Sequence, residues 1–101
     1  MYAVAIAIQP GPEPLSPVPC RIAPATIADV LWVNTYPEDR VEHIRSGAGP
    51  GGAGVDIVVF LHADSLLTAG HVAGVLCRRA LESSPGLAGW VVVSVSMNAL
   101  S

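Results

Sequence analysis

The chain predicts an α+β fold of the ferredoxin-like kind: a two-layer sandwich with a four-stranded antiparallel sheet and two helices on one face. Three observations carry this. Val55–His62 and Trp90–Met97 are β-branched runs, apolar on both faces. Between them, Ser65–Ser83 repeats apolar residues at helical spacing. Ahead of them the order strand, helix, strand occurs once more in weaker form. With one clear right-handed crossover, at the second unit, the natural closure is a split βαβ plait, with the first and third strands central and the second and fourth at the edges.

The first strand is Tyr2–Ile8, where Tyr2, Val4, Ile6 and Ile8 alternate with Ala3, Ala5 and Ala7. Period two places the large side chains toward the helices and the alanines in a flat strip on the other face. A Pro-rich loop is expected over residues 9–24, because Pro10, Pro12, Pro14, Pro17 and Pro19 exclude helix and central strand. Ala25–Val33 is a short helix, opened by Pro24 or capped by Thr26, with Ile27, Val30 and Leu31 on one side. Tyr36-Pro37-Glu38-Asp39 turns the chain.

Arg40–Ser46 is the second strand, and its mixed charges suit an edge. A Gly-rich loop over 47–54 connects it to the third strand. There Val55, Ile57, Val59 and Leu61 face the core, while Asp56, Val58, Phe60 and His62 face away. Asp64 or Ser65 caps the long helix. Its apolar stripe is Leu66, Ala69, Gly70, Ala73, Leu76, Cys77 and Ala80, with Thr68, His71, Arg78, Arg79 and Glu82 opposite. In the last strand, strict alternation sends Val91, Val93 and Val95 inward and Trp90 and Val92 outward.

At 101 residues the chain forms a single domain, 1–101, with one modest core. Hydrophobic residues make 51% and charged residues 13%, too few charges to solvate the whole surface of a small monomer, which favours a homodimer or a bound protein partner. The net charge of −3 and the absence of lysine argue against nucleic acid. The arginine-only basic set, with abundant Ala, Gly, Pro and Val, reads as codon bias from a GC-rich genome. No run reaches the length of a membrane span, and the apolar N-terminus lacks a basic leader region, so the expected location is cytoplasmic with no membrane association. Cys20 and Cys77 are too few for a disulfide scaffold and have no metal spacing, and Cys77 belongs to the apolar helix stripe.

Chemistry is sparsely marked. The glycines at 47–54 do not form a phosphate loop, since no Gly-x-x-x-x-Gly-Lys follows a strand. His62, at a strand end beside Asp64, is the one weak catalytic candidate; the competing reading is a rim histidine bonded to a turn. His43 and His62 could meet across strands with Asp56 or Asp64, but no spacing enforces a metal site, and no metal or cofactor is assigned. The favoured constellation is Val58, Phe60, Trp90 and Val92 beside the alanine strip, read as an interface or ligand floor on the helix-free sheet face. The alternative is that the Pro-rich loop of the same chain covers it.

Met1, Tyr2 and Val4, the Pro37-Glu38-Asp39 turn before Val41-Glu42-His43, Leu76-Cys-Arg-Arg-Ala-Leu81 and Pro85-Gly-Leu-Ala-Gly-Trp90-Val-Val-Val together resemble a type of small, uncharacterised actinobacterial protein. The resemblance covers most of the chain except residues 9–30. It implies an accessory protein encoded beside specialised-metabolite genes and carries no activity or site residues. The expected function is therefore a non-catalytic accessory or interaction protein, a homodimer or the partner of a larger enzyme. The alternative is a small dimeric α/β-barrel-type enzyme or ligand-binding protein. Its pocket would lie between helix and sheet, with His62 as acid or base and Trp32 and Tyr36 as lining.

Overall fold

The computed structural model describes residues 1–11, 23–49, 54–87 and 89–99. Most of the Pro-rich stretch, including Cys20, lies outside the described residues, as do residues 50–53. Cover of the sheet by the Pro-rich loop falls there too.

Six main elements follow in the expected order: β1 (Tyr2–Pro10), α1 (Pro24–Val33), β2 (Val41–Ala48), β3 (Val55–Leu61), α2 (Leu66–Ser83) and β4 (Trp90–Ala99). Short 3-10 turns at Pro37–Asp39 and Pro85–Leu87 precede β2 and β4. The sheet order is β2-β3-β1-β4, and each neighbouring pair is antiparallel. Each helix connects two strands that flank a third, which makes this the ferredoxin-like α+β sandwich.

Both helices pack on one sheet face. Val4, Ile6 and Ile8 of β1 and Val55, Ile57, Val59 and Leu61 of β3 form the floor of the core. Ile27 and Leu31 of α1 and Ala69, Ala73, Leu76, Cys77 and Ala80 of α2 close it from above. The small residues of α2 let its backbone approach the sheet closely, as the apolar stripe foretold. Truncating Ile57, which is fully buried, removes a side chain whose loss costs about 2–5 kcal/mol in such a site.

The ends of the elements obey local chemistry. Pro24 occupies the first turn of α1, where its missing N–H costs nothing. The Ser65 hydroxyl accepts from the Thr68 amide at 3.1 Å and so caps α2. Ser46 Oγ donates to the Pro24 carbonyl at 2.8 Å, tying the start of α1 to β2. Gly54 has a φ of 76°, and a Cβ there would collide with the Ile8 carbonyl, so only glycine fits where the chain enters β3.

Three expectations about the strands need correction. Strand β1 runs on through Gln9 and Pro10 rather than ending before a loop at residue 9. By Pro10 the ladder to β3 has finished at the Ile8–Val55 pair, and proline is tolerated at a strand end. Strand β2 likewise continues to Ala48, inside the predicted Gly-rich loop, and Gly49 donates to the Gly54 carbonyl at 3.1 Å across the hairpin.

The third correction concerns Trp90 and Val92. The β1–β4 ladder pairs Ala7 with Ser94 but Ile8 with Val92, so Val93 is an extra residue in a bulge. One inserted residue reverses the facing of everything on its far side. Val92 therefore lies opposite Ile8 and Trp90 opposite Pro10, on the helix side, and Trp90 packs against the core. Val91, opposite Gln9, moves to the open side. Of the three valines expected inward, only Val95, opposite Ile6, keeps that orientation.

Candidate interaction surface

Register fixes what the helix-free face presents, because directly paired residues share a face. Reading from β2 to β4, one row is His43, Phe60, Ala3 and Asn98; the next is Arg45, Val58, Ala5 and Ser96; the third is Gly47, Asp56, Ala7 and Ser94. A strip of alanine methyls thus runs down the middle. Val58 and Phe60 form one bank, and hydroxyl and amide side chains form the other. Both Val58 and Phe60 are half-buried. The His43 ring lies 5.9 Å from that of Phe60 at an interplanar angle of 33°, so Phe60 is flanked on the β2 side. Of the four expected interface residues, Val58 and Phe60 lie on this face, and Trp90 and Val92 lie on the other.

The strand β4 is exposed in a different way. It is an edge of the sheet, and Val91, Val92, Val93 and Val95 are 43%, 42%, 54% and 45% exposed. These valines point to both sides of the sheet. Trp90–Ala99 contains no charged residue and no proline. Long, uncharged edge strands are the surfaces most open to pairing with another chain. The opposite edge, β2, carries Glu42, His43 and Arg45, which discourage such pairing.

His62 follows the end of β3. Its backbone N–H donates to the Arg40 carbonyl at 3.0 Å, and its Nε2 lies 3.1 Å from Glu42 Oε1. Arg40 presents that carbonyl from a left-handed conformation with φ 56°. Glu42 is the extra residue of a second bulge, between Val41 and His43. Both side chains of the pair are about half exposed, at 45% and 57%, where an ion pair contributes little. Arg40 and Asp64 meet more loosely beside them, at 3.9 Å. This is a solvated rim, with His62 bonded to a turn. His43 lies tilted against the Phe60 ring, and among the described residues no three potential metal ligands converge.

The most tightly organised polar group involves Arg79, which the sequence pattern placed on a solvated helix face. The structure overturns that. Arg79 Nη1 donates to the Asn34 carbonyl at 2.6 Å and to Asp39 Oδ2 at 3.3 Å, and its guanidinium lies 4.3 Å from the centroid of the Tyr36 ring. Asp39 Oδ2 also accepts from the Tyr36 amide at 2.9 Å, and Ser83 Oγ meets Asn34 Oδ1 at 3.2 Å. These contacts fasten the chain after α1 to α2. The Tyr36-Pro37-Glu38-Asp39 turn was legible in the sequence; the partnership with a residue forty positions away was not.

A shallow hollow of about 410 Å³ lies at the end of α2, lined by residues including Leu81, Ser84, Leu87 and Trp90. It sits at the Pro10 end of the sheet, whereas His62 follows Leu61 at the Tyr2 end. Eight strand residues, about 26 Å at roughly 3.3 Å each, separate them. His62, Trp32 and Tyr36 do not line this hollow. Cys77 is fully buried, and burial pushes its thiol up to about 11. That keeps it protonated and unreactive.

No protein-family model, curated protein or solved structure matches the chain. Among the described residues no helix is long and apolar enough to cross a membrane.

Proposed function

We propose that this protein works by holding other protein surface: a non-catalytic accessory or interaction protein, acting as a homodimer or on a larger enzyme, in the specialised metabolism suggested by the resemblance. The observation that carries this reading is the row of exposed valines on β4, an uncharged edge of an otherwise ordered sheet. Covering the exposed half of a valine side chain contributes about 1 kcal/mol. Several in one strand favour association once the cost of immobilising a partner is met. The alanine strip with Val58 and Phe60 offers further apolar surface on the open face.

Light scattering and native mass spectrometry of the full chain at micromolar concentration test the proposal. A mass above one chain is the expected result. A single chain that carries a small molecule through native ionisation would replace the proposal with the ligand-binding or enzymatic alternative.

A further inference from the structure

We infer that the occupant of the β4 edge is β4 of a second copy of this chain, paired antiparallel about a two-fold axis through Ser96, so that two four-stranded sheets become one of eight strands. This deepens the interaction reading and rests on it.

The bulge selects the segment. From Ser94 to Ala99 the ladder to β1 is uninterrupted, pairing residue for residue with Ala7 down to Tyr2. The bulged end at Trp90–Val93 is bent and suits pairing poorly. A flat six-residue segment is of ordinary strand length. Among the described residues its outer edge has no neighbouring strand.

Self-complementarity selects the partner. In an antiparallel pair, opposed residues share a face, so a two-fold axis perpendicular to the sheet must pass through a residue position. With the axis at Ser96, the helix-side residues Val95 and Met97 of one copy lie opposite Met97 and Val95 of the other. On the open side Ser94 lies opposite Asn98, and Ser96 opposite itself. Apolar thus meets apolar, and hydroxyl meets hydroxyl or amide, across the whole junction. Val93, the most exposed valine of the strand, falls opposite Ala99. Moving the axis to Val95 pairs less of this segment, and moving it to Met97 pairs as much of it but carries Val93 past Ala99, the last described residue.

Charge points the same way. The chain is acidic overall, yet this segment has no charged side chain, so two copies meet here without direct repulsion. The other edge places Glu42, His43 and Arg45 where a strand would have to dock. Growth therefore stops at two copies. The junction is isologous and closed, and the free β2 edges of the product are the protected ones.

Site-directed cross-linking tests this. In a Cys20→Ser background the remaining native thiol, Cys77, is buried. Opposed antiparallel residues have Cα atoms about 4.5–5.5 Å apart, within the range of about 4.4–6.8 Å that a disulfide spans. Ser96→Cys is expected to form a disulfide-linked dimer under mild oxidation, whereas Ala5→Cys on the open face and His43→Cys at the β2 edge stay monomeric on a non-reducing gel. A mixture of Ser94→Cys and Asn98→Cys chains should cross-link to each other, and this confirms the register even if Ser96→Cys folds poorly. A dimer that cross-links at Ala5→Cys and not in β4 overturns the edge pairing while preserving the interaction reading. An uncross-linked single chain overturns the edge pairing outright, and native mass spectrometry of the wild type then decides between the broader interaction reading and the ligand-binding alternative.

Discussion

The thioether of Met97 lies where a side chain on Gly70 would be: a Cβ built at Gly70 runs into the Met97 sulfur. Helix α2 therefore reaches β4 through a residue with no side chain, and Met97 fills the gap from the strand. Gly70→Ala brings two opposed effects. It gains about 1 kcal/mol of helix propensity and loses stability through overpacking, by about 1–3 kcal/mol. The sign is set by Met97. Chemical denaturation should show Gly70→Ala destabilising the wild type and stabilising a Met97→Ala variant. Equal effects in both backgrounds would mean that the two residues do not compete for the space.

Arg79→Ala should destabilise the fold by about 1–3 kcal/mol, the scale of a charged hydrogen-bond partner lost from a partly buried site. Arg79 is 27% exposed and Asp39 12%, so the pair is well shielded. Arg79→Asp should cost more, because it sets two carboxylates against each other. Arg78→Ala, on the exposed neighbour, should stay within about 0.5 kcal/mol. Thermal denaturation of the three variants checks the ranking, and equal melting temperatures for all three would refute the fastening role.

Cys77 gives a pH dependence of definite sign. Its folded-state pKa is raised from the ordinary 9.0 to about 11 by burial. Between those values the unfolded chain has released the proton and the folded chain still holds it. Stability is therefore full below about pH 9 and falls as pH rises toward 11, by roughly 2–3 kcal/mol. Denaturant titrations from pH 8 to 11 should show this loss in the wild type and a shallower slope in Cys77→Ala, which has no thiol to titrate. Parallel slopes would place the thiol in contact with water.

His62→Ala should leave the fold within about 0.5 kcal/mol of wild type, as expected for an exposed pair, and leave self-association unchanged. Circular dichroism and light scattering check this. A turnover abolished by the substitution with the fold intact would make His62 catalytic and reverse the functional proposal.

Much of this architecture was legible from patterning. The alternation of β1 and β3 set the core floor, and the stripe from Ala69 to Ala80 set the contact face of α2, because period and burial coincide there. The last strand was misread for a physical reason. Consecutive valines, Val91 to Val93, carry no alternation from which a facing could be read, and a one-residue bulge among them moved Trp90 to the core side. Val58 and Phe60, on a strand with clear alternation, fell where expected. Arg79 was missed because helical spacing records which face a residue occupies and not which distant loop folds over it. The edge position of β4 was legible too, because the plait places the second and fourth strands outermost.

The central claim is that this chain associates through β4, and the mass of the full chain in solution tests it most directly when compared with Val95→Lys, a charge placed on that edge. Static light scattering should give two chains for the wild type, twice 10.4 kDa. Val95→Lys should give one, with an unchanged circular dichroism spectrum, because lysine on an edge strand blocks pairing without disturbing the parent sheet. A wild type of one chain throughout the micromolar range, or a Val95→Lys variant that remains a dimer, would contradict the account.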